Sequence, residues 1–423
     1  MKFVLAAWGS RGEIEPCAAV GRELLRRGHD VCMAVPPDLA GIAEVAGIVA
    51  VPYGLEVQAV LDAYRDFWTR LFHNFWNIRD LIRLGHEVVE PGKRCWEEMS
   101  RTLTSLADGA DLLFTTLSFE DAATNVAEYH DIPLATLHWF PLRPNGQLLP
   151  FLPKGLGRSA MRIYEWLTWR MTTRKLEDAQ RRELGLPKAT TPAPRRMIER
   201  KVLEIQAYDE VCFPGLAAEW AKFDGQRPFV GTLTLESPTD ADDEALSWIA
   251  AGRPPIFFGF GSIPVASAAE TLAMISGACE ELGERALVGA GWSDFSDVPR
   301  WEHVKVVGEL NYAAIFPACR AVVHRGSSGI TDAGLRAGVP TLVLSTDLNQ
   351  TLTGAMVKRL KVGAARRFSS ATRESLVADL RTILGPDYVA RSREFARRMT
   401  KSTDSAVAAA DHLENFARLR RIG

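Results

Sequence analysis

Short apolar runs alternate along this chain with longer segments whose apolar residues recur at helical spacing, and the alternation starts twice. Residues 2–8 read as an apolar strand entering a glycine turn, followed by a helical stretch to Arg27 that Gly28 stops. Residues 30–35 predict a second strand and 38–46 a second helix, while 111–116 and 133–138 read as later strands with a helix over 122–129. Residues 208–240 hold Pro214, Gly215, Gly225, Pro228, Gly231 and Pro238, and are expected to include a linker. The rhythm then restarts. Strands are predicted over 255–260, 285–289, 304–307, 321–323 and 341–344, with a helix over 268–282 and two final helices near 385–399 and 404–421. Strand–helix repetition of this kind predicts an α/β protein with two Rossmann-like, doubly wound domains and a cleft between them. The expected division is 1–213, a linker region 214–240, 241–395, and 396–423 packing back on the first domain.

The segment 320–345 carries the most chemistry. A short β-branched strand meets a turn at 324–326, Ser327 and Ser328 precede a helical pattern over 330–337, and Gly338 and Pro340 close it before the next strand. In a parallel sheet such a unit sets the helix N-terminus at the carboxyl end of the strand, where ligands bind. Free N–H groups and the positive end of the helix dipole make that point an anion site. His324 and Arg325 are expected to add donors and charge, so a pyrophosphate is predicted there.

Two helical inserts interrupt the pattern. Residues 61–84 carry Phe67, Trp68, Phe72, Phe75 and Trp76 on one wide stripe, and 157–184 carry Ile163, Tyr164, Trp166, Leu167, Trp169 and Met171. Each aromatic alone fits plain core packing; as a set they suit a greasy binding cleft, with 139–142 and 143–155 as its rim. The chain has 423 residues, enough for two cores. Its net charge of −2 argues against nucleic acid as a partner. The six cysteines are scattered without a C-x-x-C pair, which points to buried thiols in a reducing compartment. With neither a secretory leader nor a run long enough to span a bilayer, a soluble cytoplasmic protein is expected. No residue pattern assigns an oligomeric state.

A carboxylate near 9–15 and an anion cradle near 324–331, with Gly261-Ser262 beside it, fit group transfer from a nucleotide-activated donor to a hydroxyl. The spacing of Gly9 and Gly12 does not match the dinucleotide fingerprint of a Rossmann oxidoreductase. Gly9-Ser10-Arg11-Gly12-Glu13-Ile14-Glu15-Pro16 resembles the opening G-[ST]-R-G-D-x-x-P of bacterial and sterol-type nucleotide-sugar glycosyltransferases (family 1), and His324-Arg325-Gly326-Ser327-Ser328-Gly329-Ile330-Thr331 resembles their H-H-G-G-A-G-T-T. Within that family the chain looks most like actinobacterial enzymes that glycosylate glycopeptidolipids with rhamnose or another 6-deoxyhexose.

The resemblance implies a GT-B fold with acceptor on the first domain and nucleotide sugar on the second, and inversion without metal or other cofactor. It implies Glu13 as the base in place of the family Asp, with a helix-start carboxylate as the plain alternative, and His324 on the donor phosphates. Gly261, Ser262, Trp292, Arg325, Gly326, Ser327, Ser328, Gly329, Asp332, Asn349 and Gln350 are the expected donor contacts, with an exposed first-turn acid as the equal alternative for Asp332. Gly9, Ser10, Arg11, Phe72, Phe75, Trp76, His138 and Trp139 are the expected acceptor contacts, with core packing as the equal alternative for His138. Asn349, where the family has Asp, is compatible with a deoxysugar; dTDP is the first expected nucleotide and UDP the next. A lipid-like acceptor would bring the protein to the inner membrane face. The competing reading is a binding protein of decayed catalysis, suggested by the substitutions at 325–330 and 349.

Overall fold

The structure, a computed structural model, describes residues 1–58, 78–149, 152–223, 225–261, 265, 267–291, 293–295 and 298–422. They form two compact units: Met1–Glu210 with Gly215–Leu235 and Lys401–Gly423, and Glu236–Thr400 with Val211–Pro214.

The first unit is built on a six-stranded sheet in the order β3-β2-β1-β4-β5-β6, every neighbouring pair parallel. The strands are β1 (Lys2–Ala6), β2 (Asp30–Val35), β3 (Val49–Pro52), β4 (Leu112–Thr116), β5 (Leu134–His138) and β6 (Leu203–Gln206). Side chains of a strand alternate between faces, so a strand covered on both sides is apolar throughout. In β1, Phe3 and Leu5 enter one core with the helices Arg11–Arg26 and Ser402–Ile422, while Val4 and Ala6 enter a second core on the opposite face. Of the stretch 214–240, Val230, Leu233 and Leu235 are buried in the first of these cores, so this Pro/Gly-rich segment is packed.

The expected rim 143–155 also begins inside the unit. Arg143 is buried because two carboxylates surround it: Nη1 and Nη2 donate to Glu120 at 2.7 and 2.8 Å, and Nε donates to Glu204 at 2.5 Å. Arg227 pairs with the other oxygen of Glu204. Burial opposes the charge on Glu204, yet the two guanidiniums hold its pKa down at about 2. Asn145, also buried, donates to the carbonyls of Pro141 and Arg143 and closes the turn.

The second unit repeats the plan as β12-β11-β10-β7-β8-β9, again all parallel. Its strands are β7 (Ile256–Gly259), β8 (Ala286–Gly289), β9 (Val304–Val307), β10 (Ala321–His324), β11 (Thr341–Ser345) and β12 (Gly363–Arg367). Phe257 and Phe258 point to opposite faces and anchor separate cores. In each sheet the winding direction reverses once, between β1 and β4 and between β7 and β10. Open α/β sheets bind ligands at that reversal, beyond the carboxyl ends of the strands. The residues beyond β1, β4, β7 and β10 therefore define the candidate sites.

Candidate functional site

At the reversal of the first sheet, Gly9 follows β1 and Ser10 leads into the helix Arg11–Arg26. Glu13, in its first turn, folds back so that its Oε2 accepts from the Ser10 N–H at 2.9 Å. Gly9 makes room for this: at φ +136 it holds a conformation L side chains avoid, and a Cβ there would sit 1.4 Å from Glu13 Oε2. Ser118, in the loop after β4, donates its hydroxyl to Glu13 Oε1 in a short hydrogen bond. The next residue, Phe119, sits at φ +61 and packs against Trp8 and Trp96 at 5.1 and 6.0 Å between ring centroids. Burial pushes the Glu13 pKa up to about 7 against the opposing pull of the Ser118 and Ser10 hydrogen bonds. A carboxylate in that range is matched to general-base work at neutral pH.

Glu15, two residues on, has a different role. Its carboxylate accepts from Arg11 Nε at 2.8 Å, Thr234 Oγ1 at 2.7 Å and the Leu235 N–H at 3.0 Å. Burial works against the charge, but Arg11 and these donors hold the Glu15 pKa below the usual carboxylate range. Glu15 ties the helix to Thr234 and Leu235, and Arg11, an expected acceptor contact, is its ion partner. His138 is fully buried at the end of β5, with Nε2 beside Thr136 Oγ1 at 2.9 Å, and burial with Arg143 nearby lowers its pKa to about 3. It lies in the interior and lines no surface. Trp139 is half-buried against the first core. Phe72, Phe75 and Trp76 lie outside the described residues. Of the side chains singled out in the other aromatic insert, Trp169 is buried, while Ile163, Tyr164, Trp166, Leu167 and Met171 are exposed.

At the reversal of the second sheet, His324 is the last residue of β10 and is 2% exposed. Its Nδ1 accepts from the Gly326 N–H at 2.8 Å, so the proton of the neutral ring sits on Nε2. That Nε2 is buried and has no hydrogen-bond partner among the described residues. Burial drives the His324 pKa down to about 3. The expectation that His324 supplies charge is therefore corrected: it is a neutral imidazole offering one N–H. Gly326, at φ +104, passes so close to β11 and to the helix Leu348–Leu360 that a Cβ would meet Val343 at 2.8 Å and the Gln350 carbonyl at 3.1 Å.

Ser327 is the N-cap residue of the helix Ser328–Arg336 and makes no side-chain cap hydrogen bond to its first N–H groups; Ser327 and Gly329 are exposed and Ser328 half-buried. Across the reversal, Gly261 is an exposed turn residue after β7. Ser262 and Trp292 lie outside the described residues.

Arg325 is buried, its guanidinium 5.3 Å from the Phe368 ring centroid and 5.8 Å from that of Phe260, and burial lowers its pKa. Asp332 is buried, so it is not an exposed first-turn acid. Gln350 Oε1 accepts from the Thr346 N–H at 2.7 Å and hydroxyl at 2.9 Å, which fixes its side chain, while Asn349 is exposed. Among the described residues, no group of three or more His, Cys, Asp and Glu could hold a metal ion. Sequence reasoning missed Ser118, which pairs with Glu13 only because β4 lies beside β1.

Comparison with known proteins adds to this picture. The family of erythromycin biosynthesis protein CIII-like C-terminal domains matches residues 287–413. An uncharacterized glycosyltransferase of Mycobacterium tuberculosis is 57% identical over 423 residues, with 100% of both chains covered. Glycosyltransferase GtfE of Amycolatopsis orientalis is 27% identical over 426 residues, covering 98% of this chain and 97% of its own. The calicheamicin glycosyltransferase structure matches with a TM-score of 0.70 at 17% identity, covering 100% of this chain and 99% of its own. A glycosyltransferase solved in complex with dTDP matches with a TM-score of 0.66 at 16% identity, with 100% of both chains covered.

Proposed function

The chain belongs to this family of actinobacterial GT-B glycosyltransferases, and from that membership we propose that it moves a 6-deoxyhexose such as rhamnose from a dTDP donor to a hydroxyl of a glycolipid or glycopeptidolipid. UDP-hexose is the second donor choice. The observation that carries the donor half is the buried Nε2–H of His324, which has no partner among the described residues and stands beside the open N-terminus of the helix Ser328–Arg336. A donor of that kind wants an anion, and a diphosphate leaving group supplies one. Gly261, Ser327, Ser328 and Gly329 continue the cradle, and Ser262, Trp292, Arg325, Gly326, Asp332, Asn349 and Gln350 complete the proposed donor set. The exposed Asn349 amide, uncharged where the family has Asp, suits a sugar with one hydroxyl fewer.

The acceptor half rests on Glu13. Its carboxylate takes the proton of the acceptor hydroxyl while that oxygen forms a bond to the anomeric carbon. The bond from this carbon to the phosphate oxygen breaks on the opposite side, its electron pair leaves with the diphosphate, and the configuration inverts. His324 and the helix N–H groups balance the charge gathering on the phosphate, a division of labour that needs no metal. Gly9 and Ser10 shape the acceptor side around Glu13, and an apolar acceptor brings the enzyme to the inner face of the membrane.

The test is release of nucleoside diphosphate from a panel of nucleotide sugars, with and without lipid acceptors. Release that is strongest with dTDP-rhamnose and is lost in both Glu13→Ala and His324→Ala supports the assignment. Unchanged turnover in either variant removes that residue from the mechanism.

A further inference from the structure

Among the described residues, thirteen large hydrophobic side chains are exposed, and six of them fall between Leu156 and Met171. They belong to the helix Lys154–Thr168 and the π-turn Trp169–Thr173 that continues it. Leu156, Ala160, Ile163, Leu167 and Met171 recur at intervals of three and four and so share one stripe, with Tyr164 and Trp166 on its flanks. The opposite side holds the helix to the first unit: Gly157 and Trp169 are buried, Trp169 Nε1 donates to Glu177 at 2.7 Å, and Arg158 pairs with Glu219 at 2.8 Å. An anchored helix therefore turns a greasy stripe outward. Its charge is equally one-sided. Residues 154–175 contain six basic side chains and one acidic one, a net +5 in a chain whose total is −2. Lys154, Arg162, Arg170 and Lys175 are exposed.

We propose that this helix is a membrane-docking element that lies in the surface of an anionic phospholipid bilayer, its Leu156–Met171 stripe among the upper acyl chains and its basic residues on the headgroups. The pattern of apolar stripe, interfacial Trp and Tyr, and flanking Lys and Arg is the one bilayer interfaces select. At fifteen residues the helix is about 22 Å long and carries several charges, so it lies on the bilayer and does not cross it. Among the described residues no helix is long and apolar enough to span a membrane. The charge complementarity favours an anionic lipid surface over a protein partner or a second copy of the chain. The benefit assigned to docking, access to a lipid-borne acceptor, rests on the proposed function; the docking itself does not.

The full chain is sedimented with phosphatidylcholine vesicles and with vesicles that also contain phosphatidylglycerol. Binding is expected only to the anionic vesicles, with weakening at high salt. Ile163→Glu with Leu167→Glu, and separately Arg162→Glu with Arg170→Glu, should each reduce binding by about tenfold or more. All four positions are exposed, so unchanged thermal melting checks the fold of these variants. No binding by the parent chain, or binding that neither pair alters, overturns the proposal. So does self-association in light scattering that Ile163→Glu abolishes, because the stripe would then be an interface between copies. Vesicle binding without nucleoside diphosphate release would leave docking standing and remove the reaction; release without vesicle binding would do the reverse.

Discussion

Replacing Glu13 by Gln should cost the enzyme its turnover and make the protein more stable at alkaline pH. Burial lifts the Glu13 pKa from its ordinary 4.5 to about 7. Between those values the folded protein holds a proton that the unfolded chain has released, so stability falls as pH rises through the window and the deficit is complete above it. At about 1.4 kcal/mol per pH unit, the deficit amounts to about 3 kcal/mol. Gln keeps the shape, carries no charge, and retains one accepting oxygen for Ser10 or Ser118; losing the other acceptor costs about 1 kcal/mol. The balance is a variant about 2 kcal/mol more stable at about pH 8 and near parity at about pH 5. Thermal melts of parent and variant across this pH range measure the difference, and nucleoside diphosphate release should fall by roughly 100-fold or more. A variant less stable at alkaline pH, or a difference that does not change with pH, would refute the reasoning.

Gly9→Ala drives a methyl onto Glu13 Oε2, so kcat should drop about tenfold or more while affinity for dTDP, measured by calorimetry, stays the same. Burial holds the His324 pKa down at about 3, so affinity for a dTDP-sugar, whose diphosphate diester does not itself titrate near neutrality, should be flat across the neutral range; a break near the ordinary histidine value would show an imidazole open to solvent. Arg143→Met leaves Glu120 and Glu204 facing each other without their shared cation, and a loss of about 3–5 kcal/mol is expected in denaturant unfolding of the first unit. Dialysis against EDTA should leave turnover unchanged, in line with the donor set around His324.

Most of the legible strands are buried on both faces, although the half-buried edge strand β9 is also legible from its Val-Lys-Val-Val run. β1, β4, β7, β10 and β11 are uninterrupted apolar or β-branched runs, because nothing else fits between two layers of helix. β12 reads Gly-Ala-Ala-Arg-Arg and lies at a sheet edge, where small and charged residues are tolerated, so its pattern carries little signal. β6 hides for a different reason: Glu204 and Gln206 look like surface residues until Arg143 and Arg227 are seen to enclose Glu204. The His324 turn could be read from residue types alone, but its uncharged state could not, since that follows from packing. Residue types alone do not separate Glu13 from Glu15; the family resemblance singles out Glu13 but gives no physical reason. The difference lies in Thr234 and Leu235, more than two hundred positions away, which engage one carboxylate and leave the other to Ser118.

The helix Ser402–Ile422 buries Ala409, Ala410, Leu413 and Ala417 in the core beside Arg11–Arg26, and Asp411 and Glu414 grip Arg27. Synthesis on the ribosome meets that arrangement in the opposite order. The half carrying Glu13 emerges early but keeps an open seam until the chain has grown past residue 417, whereas the half carrying His324 needs little beyond the contiguous stretch 236–400. Nascent chains stopped near residue 400 should therefore contain a protease-resistant second half and a first half that is still cleaved, a maturation sequence opposite to the usual rule that what is made first folds first.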